Sequence, residues 1–351
     1  MKKHSFKRGW GLGVCTALLV GILTACGGAS QNPGSNTISE QTTSTGASPQ
    51  QQNTSLSPTK VTQVMNWFAE PEEGGQYEAL IKGYYKEAGL DMTVQQGGPQ
   101  VSVTQIVAGG RAEFGMAEAD QVLQAIDNGI PIVALFAVFQ TNPQILMFHS
   151  DHPVQQWTDL NGRPVAVAPG VVYWTYLQKK YGLNVKEQAY NGTLANFLSD
   201  PAAVTQGYVT SEPYYAKQQN VKVGYKLIAD SGYNPYANVL FTTKKYLAEH
   251  PQQVKAFVEA SIKGWNSYLE QPDDTNAYMK TQNKDLDMNA MKYGWQAEKP
   301  LIMGGDASSG GVGTMTEARW QELYNQLKDL GLLKTSFDFH QAYTTEFLPQ
   351  K

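Results

Sequence analysis

The sequence predicts an α/β fold with mostly parallel sheets, divided between two lobes, and three observations predict it. Past Lys60, short apolar runs alternate with helix-length amphipathic segments, the pattern of strands joined by crossover helices. The chain has 351 residues, too long for one small domain and long enough for two lobes with real cores once non-globular segments are removed. No internal repeat, heptad run or second long hydrophobic span interrupts the alternation.

Taken in order, "VTQVMNWF" (61–68) reads as the first strand, "YEALIKGYYKEAG" (77–89) as a helix closed by Gly89, and "LDMTVQQGG" (90–98) as the next strand. A helix around "VTQIVAGG" leads to the strand "AEFGMA", a helix through "ADQVLQAIDNG" and the strand "IVALFAVF". "ILMFHS" is a further strand, and Val165 to Ala168 is another that runs into a helix starting near Val171. "FLSD", "AVTQGYVTSEPYYAKQQ" and "VKVGYKLIAD" continue the alternation up to a last strand, "ANVLFTT". From Lys245 the pattern is almost wholly helical. In "TEARWQELYNQLKDLG", Thr314 with Glu317 offers a capping pair and Gly331 a close.

The amino-terminal part differs in kind. Lys2, Lys3, Lys7 and Arg8 precede the apolar run "GWGLGVCTALLVGILTA", whose length suits a signal-peptide core better than a membrane span. Residues 1–25 therefore read as an export signal. The run ends in "LTAC", which resembles the bacterial lipobox; that resemblance implies cleavage before Cys26 and lipid modification of its thiol. Residues 26–59 form a Ser/Thr/Gln/Gly linker with little to bury, expected to be disordered. The chain is thus expected at the cell membrane, lipid-anchored on the extracytoplasmic face, because several acyl chains on one residue anchor stably where a single chain does not.

Composition narrows the function classes. The two cysteines are Cys15, inside the signal, and Cys26, so the mature chain has no disulfide, cysteine nucleophile or zinc knuckle. A formal net charge of -4 lacks the basic excess of a nucleic-acid binder. His149 and His152 lack the further clustered ligands that a metal site requires. "GGDASSGGVG" (304–313) lacks the Gly-Lys-Ser/Thr ending of a phosphate loop and reads as an ordinary loop. No cofactor is expected.

Several blocks carry a family resemblance: "NWFAEPEEGGQYEALIKGYYKEAGLDMTVQQGGP", "VAGGRAEFGMAEADQVLQAIDNGIPIVALFAVFQTNP", "DLNGRPVAV", "GYVTSEPYYA" and "HPQQVKAFVEASIKGW". In their order and coverage they resemble the thiamine-pyrimidine-precursor (NMT1/THI5-like) family of substrate-binding proteins of ABC importers, over nearly all of 61–348. The resemblance implies a type II periplasmic-binding-protein fold, two α/β lobes joined by two crossover strands and closing on a ligand. Lobe one would hold 60–148 and 236–351, with the first crossing near Phe148 to Pro153, and lobe two would hold 149–235. It also implies a small-molecule ligand, ABC permease and ATPase subunits as partners, and action as a monomer.

In an open α/β sheet, loops leaving the carboxyl ends of parallel strands face the crevice, and this rule selects the candidate ligand-binding residues. Asn66 and Trp67 end the first strand; Trp67 offers a face for a flat heterocycle and Asn66 both a donor and an acceptor. Glu70 and Tyr77 follow in the next loop and helix. Gly97 and Gly98 end the second strand, where a ligand could approach the backbone closely, and Glu118 ends the third, ahead of Asp120 as a helix cap. In lobe two, Tyr173 and Trp174 open a helix whose amino terminus would point into the cleft, and "GYVTSEP" adds Tyr208 and Glu212. Tyr236 is preferred to Tyr233 at the return crossover. A ring clasped between Trp67 and Trp174 would make closure depend on ligand.

Three functions remain in view. The first is a lipid-tethered receptor for a planar heterocycle, with no catalysis. The resemblance implies a thiamine pyrimidine precursor, while "GYNPYANVLFTT" and "GGDASSGGVGTMTEARW" look more like members that take up riboflavin; sulfonate binders share the fold. The second is an enzyme, since eukaryotic members of the superfamily make the thiamine pyrimidine from histidine and pyridoxal phosphate. Their cysteine-rich motif is absent here and "EPEEGGQY" contains no histidine. The third, an adhesive lipoprotein, leaves the strand-end aromatics unexplained.

Overall fold

A computed structural model describes residues 57–98 and 100–349. The signal segment 1–25, Cys26 and most of the linker lie outside the described residues. In chain order the strands are β1 (Thr59–Val64), β2 (Leu90–Gln95), β3 (Phe114–Ala117), β4 (Ile132–Phe139), β5 (Gln144–His149), β6 (Pro164–Val167), β7 (Lys186–Ala189), β8 (Val204–Tyr208), β9 (Val223–Leu227) and β10 (Ala237–Thr243).

They form two five-stranded sheets, one ordered β2-β1-β3-β10-β4 and the other β7-β6-β8-β5-β9. In the first sheet β1 runs parallel to β2 and β3 while β10 is antiparallel to both its neighbours. The second repeats this scheme, with β6 parallel to β7 and β8, and β5 antiparallel to β8 and β9. In each lobe the odd strand is the one that arrives from the other lobe. Parallel neighbours need crossover connections, and the helices Gly74–Ile81 and Val172–Tyr181 lie on such connections, while Ala119–Asp127 joins β3 to β4 on either side of β10. β4 ends the strand order yet is buried at every position, and bridges from Ala134 to Tyr343 and from Ala137 to Gly313 cover its outer edge.

The first crossing falls earlier than the expected Phe148 to Pro153. β5 already belongs to the second sheet, so the chain changes lobe across Gln140–Pro143. Apolar content marks β5 as a buried strand but carries no label for the sheet that buries it. β1 also ends at Val64, leaving Asn66 to Phe68 in a loop. The helix expected over 77–89 is two pieces, Gly74–Ile81 and Tyr84–Glu87, parted at Gly83 with φ +77°.

The carboxy-terminal helices complete lobe one. Pro251–Glu270 packs along Gly74–Ile81, and two glycines permit the approach: a Cβ on Gly75 would lie 2.2 Å from the Trp265 ring, and one on Gly74 2.1 Å from Tyr268. The "EEGGQY" glycines therefore serve helix packing. In the last long helix, Glu317–Asp329, the N-cap is Thr316; Thr314, expected to cap, instead donates its hydroxyl to the Gly311 carbonyl at 2.8 Å. Gly331, φ +72°, follows that helix's last turn as expected. The "GGDASSGGVG" loop includes one short helical turn, Ala307–Gly310. Among the described residues no helix is long and apolar enough to cross a membrane.

Candidate functional site

The lobes enclose a cleft of about 250 Å³ beside the two crossovers. Lobe one supplies Glu118, Asp120, Gln121 and Gln124 from the amino-terminal end of Ala119–Asp127, where β3 delivers the chain to the sheet's carboxyl edge. Lobe two supplies Pro169 to Tyr173, between β6 and its helix, and Tyr208 at the end of β8. The crossovers add Asn142, Gln144, Tyr233 and Pro235.

The polar groups of this cleft are held in place by one another. The Tyr233 hydroxyl donates to Asp120 Oδ2 at 2.7 Å, and the Tyr173 hydroxyl to Gln206 Oε1 at 2.9 Å. Asn142 ties the crossovers together: its backbone N–H donates to Asn234 Oδ1 at 2.9 Å and its side-chain amide donates to Glu118 Oε2 at 3.1 Å. The other Glu118 oxygen, Oε1, is buried without a partner. Burial, reinforced by the neighbouring Asp120 charge, pushes the Glu118 carboxyl up to about 8. Burial likewise raises the Tyr208 phenol, with Glu118, Glu72 and Glu73 adding to it.

Of the candidate residues, the cleft brings together Glu118, Tyr173 and Tyr208. Glu212 does not line it; Glu212 Oε2 accepts from the Tyr208 backbone N–H at 2.6 Å and Oε1 from the Tyr190 hydroxyl at 3.1 Å, so it positions the Tyr208 segment. Gly207 makes room for that carboxylate, since a Cβ there would stand 2.7 Å from it.

The tryptophan clasp is not formed. Trp174 is 4 % exposed in the lobe-two core and donates its indole N–H to Glu187 Oε2 at 2.8 Å, whereas Trp67 is 40 % exposed and meets Phe68 edge to face at 5.6 Å. Neither lines the cleft. Successive residues of a helix point about 100° apart around its axis, so Tyr173 reaches the cleft and Trp174 packs behind it.

Tyr236 is also a correction. Its ring is buried, stacked under the Arg319 guanidinium at 3.8 Å, and its hydroxyl accepts from the Thr316 N–H at 3.0 Å; Tyr233 lines the cleft in its place. Tyr77 is buried against Tyr278, with ring centroids 6.0 Å apart, in the lobe-one core. Gly97 and Gly98 accommodate protein rather than ligand: a Cβ on Gly97 would fall 2.1 Å from the Met65 carbonyl oxygen, and one on Gly98 3.0 Å from the Phe68 ring. Asn66 gives its amide N–H to Asn238 Oδ1 at 2.9 Å, and its own oxygen is buried without a partner.

Glu70 sits elsewhere, on a recess of about 20 Å³ formed with Pro71, Glu72, Thr210, Ser211, Tyr215 and the helix Met288–Met303. Here the Thr210 hydroxyl of lobe two donates to Glu72 Oε1 of lobe one. Glu73 Oε2 accepts from the Glu70 N–H at 3.2 Å, while Glu72 Oε2 and both oxygens of Glu298 are buried without partners. Burial pushes Glu70, Glu73 and Glu298 well above the usual carboxylate range, and Glu72 adds to each.

The residues that sequence reasoning missed are Asn142, Gln144, Gln121, Gln124 and the Pro169–Val172 turn. Asn142 follows the strand-end rule used for the others, since the "QTNP" segment comes directly after β4. His149 spends Nε2 on the Phe197 carbonyl at 2.8 Å, and among the described residues no group of histidines, cysteines and carboxylates is arranged to hold a metal.

Two mixed sheets, two crossings and a cleft where the strand ends converge define the periplasmic-binding-protein fold. The periplasmic aliphatic sulphonate binding protein SsuA from Escherichia coli shares this architecture, superposing with a TM-score of 0.63 at 13% identity and covering 84% of this chain and 95% of that one. At that identity the likeness is one of fold. The chain belongs to the NMT1/THI5-like family, whose profile matches residues 70–275. Its relatives include the riboflavin-binding protein RibY of Chloroflexus aurantiacus, 25% identical over 83% of this chain and 86% of that protein. Another is the 4-amino-5-hydroxymethyl-2-methylpyrimidine phosphate synthase of Legionella pneumophila, 19% identical over 83% of this chain and 92% of that protein. Binding proteins and synthases thus both stand among its relatives.

Proposed function

We propose that this chain is the solute receptor of an ABC importer, tethered by lipid on Cys26 to the extracytoplasmic face of the membrane and acting as a monomer without catalysis. It would capture a small planar heterocycle, a thiamine pyrimidine precursor or a related vitamin such as riboflavin, and pass it to a permease. The observation that carries the reading is the cleft itself: three tyrosines, Tyr173 and Tyr208 of lobe two and Tyr233 of the return crossover, converge on amide and carboxyl groups that include Glu118 of lobe one. Phenol rings give a flat solute apolar contact, and Glu118 and Gln144 offer hydrogen bonds to its edge. The lining includes no cysteine or lysine nucleophile for covalent work. Micromolar binding needs about 8 kcal/mol, within reach of such contacts.

The test is calorimetric titration of the purified full chain in detergent with 4-amino-5-hydroxymethyl-2-methylpyrimidine, riboflavin and an alkanesulfonate. Saturable binding of one of the heterocycles is expected. Binding of the alkanesulfonate alone would refute the heterocycle reading.

A further inference from the structure

Resting on the receptor reading, we propose that the cleft selects by charge: it takes an uncharged solute with a polar edge turned to Glu118, and it rejects the phosphate ester of the same solute. The first observation is the lining. Two carboxyls, Glu118 and Asp120, face the space, and no lysine, arginine or histidine lines it. The nearest arginine contact to the return crossover, Arg319, is already committed, stacked on Tyr236 and donating to the Asn234 carbonyl at 2.8 Å.

The second observation is the unpartnered oxygen. Glu118 Oε2 is taken by Asn142, but Oε1 is enclosed with nothing to bond. An orphaned buried oxygen costs free energy that a polar ligand edge would recover, by accepting from the carboxyl when it is protonated and by donating to it when it is ionised. In lobe two the helix Val172–Tyr181 begins at Val171 with no side-chain cap, and Val171, Val172 and Tyr173 line the cleft. That terminus alone would welcome an anion. Glu118 and Asp120 occupy the same small space, however, and a phosphate carries close to two negative charges at neutral pH with a second ionisation near pH ~6. Like charges brought together without a counter-ion are strongly disfavoured. An amino-substituted or lactam ring presents both donors and acceptors without net charge, so it can meet Glu118 in either protonation state.

Glu118 gives the filter a pH signature. It faces Asp120 on its own helix, Tyr208 from lobe two and Tyr233 from the crossover, and its carboxyl sits at about 8. It is therefore largely neutral at pH 7 and charged at pH 9, whereas a phosphate ester is doubly charged at both. Rejection of the ester should sharpen as pH rises.

The experiment titrates the full chain with two pairs, 4-amino-5-hydroxymethyl-2-methylpyrimidine against its phosphate and riboflavin against its 5′-phosphate, at pH 7 and pH 9. The uncharged member that binds is expected to do so at least about 10-fold more tightly than its phosphate at pH 7, where the lining supplies no counter-ion. That ratio should grow by at least about fivefold at pH 9, and Glu118→Gln should abolish the growth while keeping a neutral hydrogen-bonding group in place. Equal or tighter binding of a phosphate, or a ratio that grows unchanged in Glu118→Gln, overturns the inference and leaves the receptor reading standing. Failure of all four compounds to bind overturns the heterocycle reading and this inference with it.

Discussion

At the crossover end of the lobe interface about 250 Å³ stays open between Tyr173, Tyr208 and Tyr233, while at the other end Glu72 and Thr210 meet and about 20 Å³ is left. Both ends bury carboxyls. At the crossover end each acid has a neutral partner, Asn142 for Glu118 and Tyr233 for Asp120. At the far end Glu72, Glu73 and Glu298 crowd together, and three of their oxygens have no partner. Acids that hydrogen-bond to amides and phenols can stand at the edge of a cavity and greet a ligand. Acids packed mainly against one another must stay protonated, and they make an interface whose closure responds to protons.

The largest effect that would test this contrast is on the wall of the open end. Trp174 supports the turn that carries Tyr173, so Trp174→Ala is expected to destabilise the chain by about 3–5 kcal/mol, the cost of emptying a large core site. Trp67→Ala, at an exposed position, is expected to stay within about 1 kcal/mol and to leave ligand affinity unchanged. Urea denaturation and calorimetry read both variants. A large affinity loss in Trp67→Ala would restore the two-tryptophan clasp and dissolve the distinction drawn between the two ends.

The difference between the ends also marks where the sequence was readable. The alternation of strands and helices, the lobe-one carboxy-terminal helices and the strand-end rule that selected Glu118, Tyr173 and Tyr208 all depend on local pattern. Such pattern survives folding because each strand delivers its last residues to the same edge of the sheet. What failed depended on contacts between distant segments. Tyr233 and Tyr236 are three residues apart in an irregular crossover, and only the arrival of Arg319 and Trp320 decides that Tyr236 is covered. Gly97 was legible as a close approach, but the approaching group, the Met65 carbonyl, comes from a neighbouring loop rather than a ligand. The acid loop was the least legible part. Glu72 and Glu73 resemble residues favouring a helix's positive end, and Glu298, which joins them, lies more than two hundred residues later.

The smaller effect concerns that far end. Glu298 is fully buried with both oxygens unpartnered, and burial, together with Glu72 and Glu73, raises it well above its ordinary 4.5. A carboxyl raised in the folded state binds its proton more tightly there than in the unfolded chain, so its contribution is fully present below about 4.5 and is lost as pH rises toward the folded value. Glu70, Glu72 and Glu73 are shifted the same way, whereas the exposed Asp127, Asp159, Asp274, Asp287 and Asp338 are lowered from 3.8 and have finished titrating below the window of interest. Stability should therefore fall between pH 5 and pH 6.5, each group that keeps its proton contributing at most about 1.4 kcal/mol per pH unit. Glu298→Gln keeps the shape and removes the titration, so its urea-derived stability should decline less steeply over that interval by up to one proton's share. An identical slope in the variant would mean that Glu298 is not among the groups holding a proton, and that the far end closes without the proton dependence that sets it apart from the open cleft.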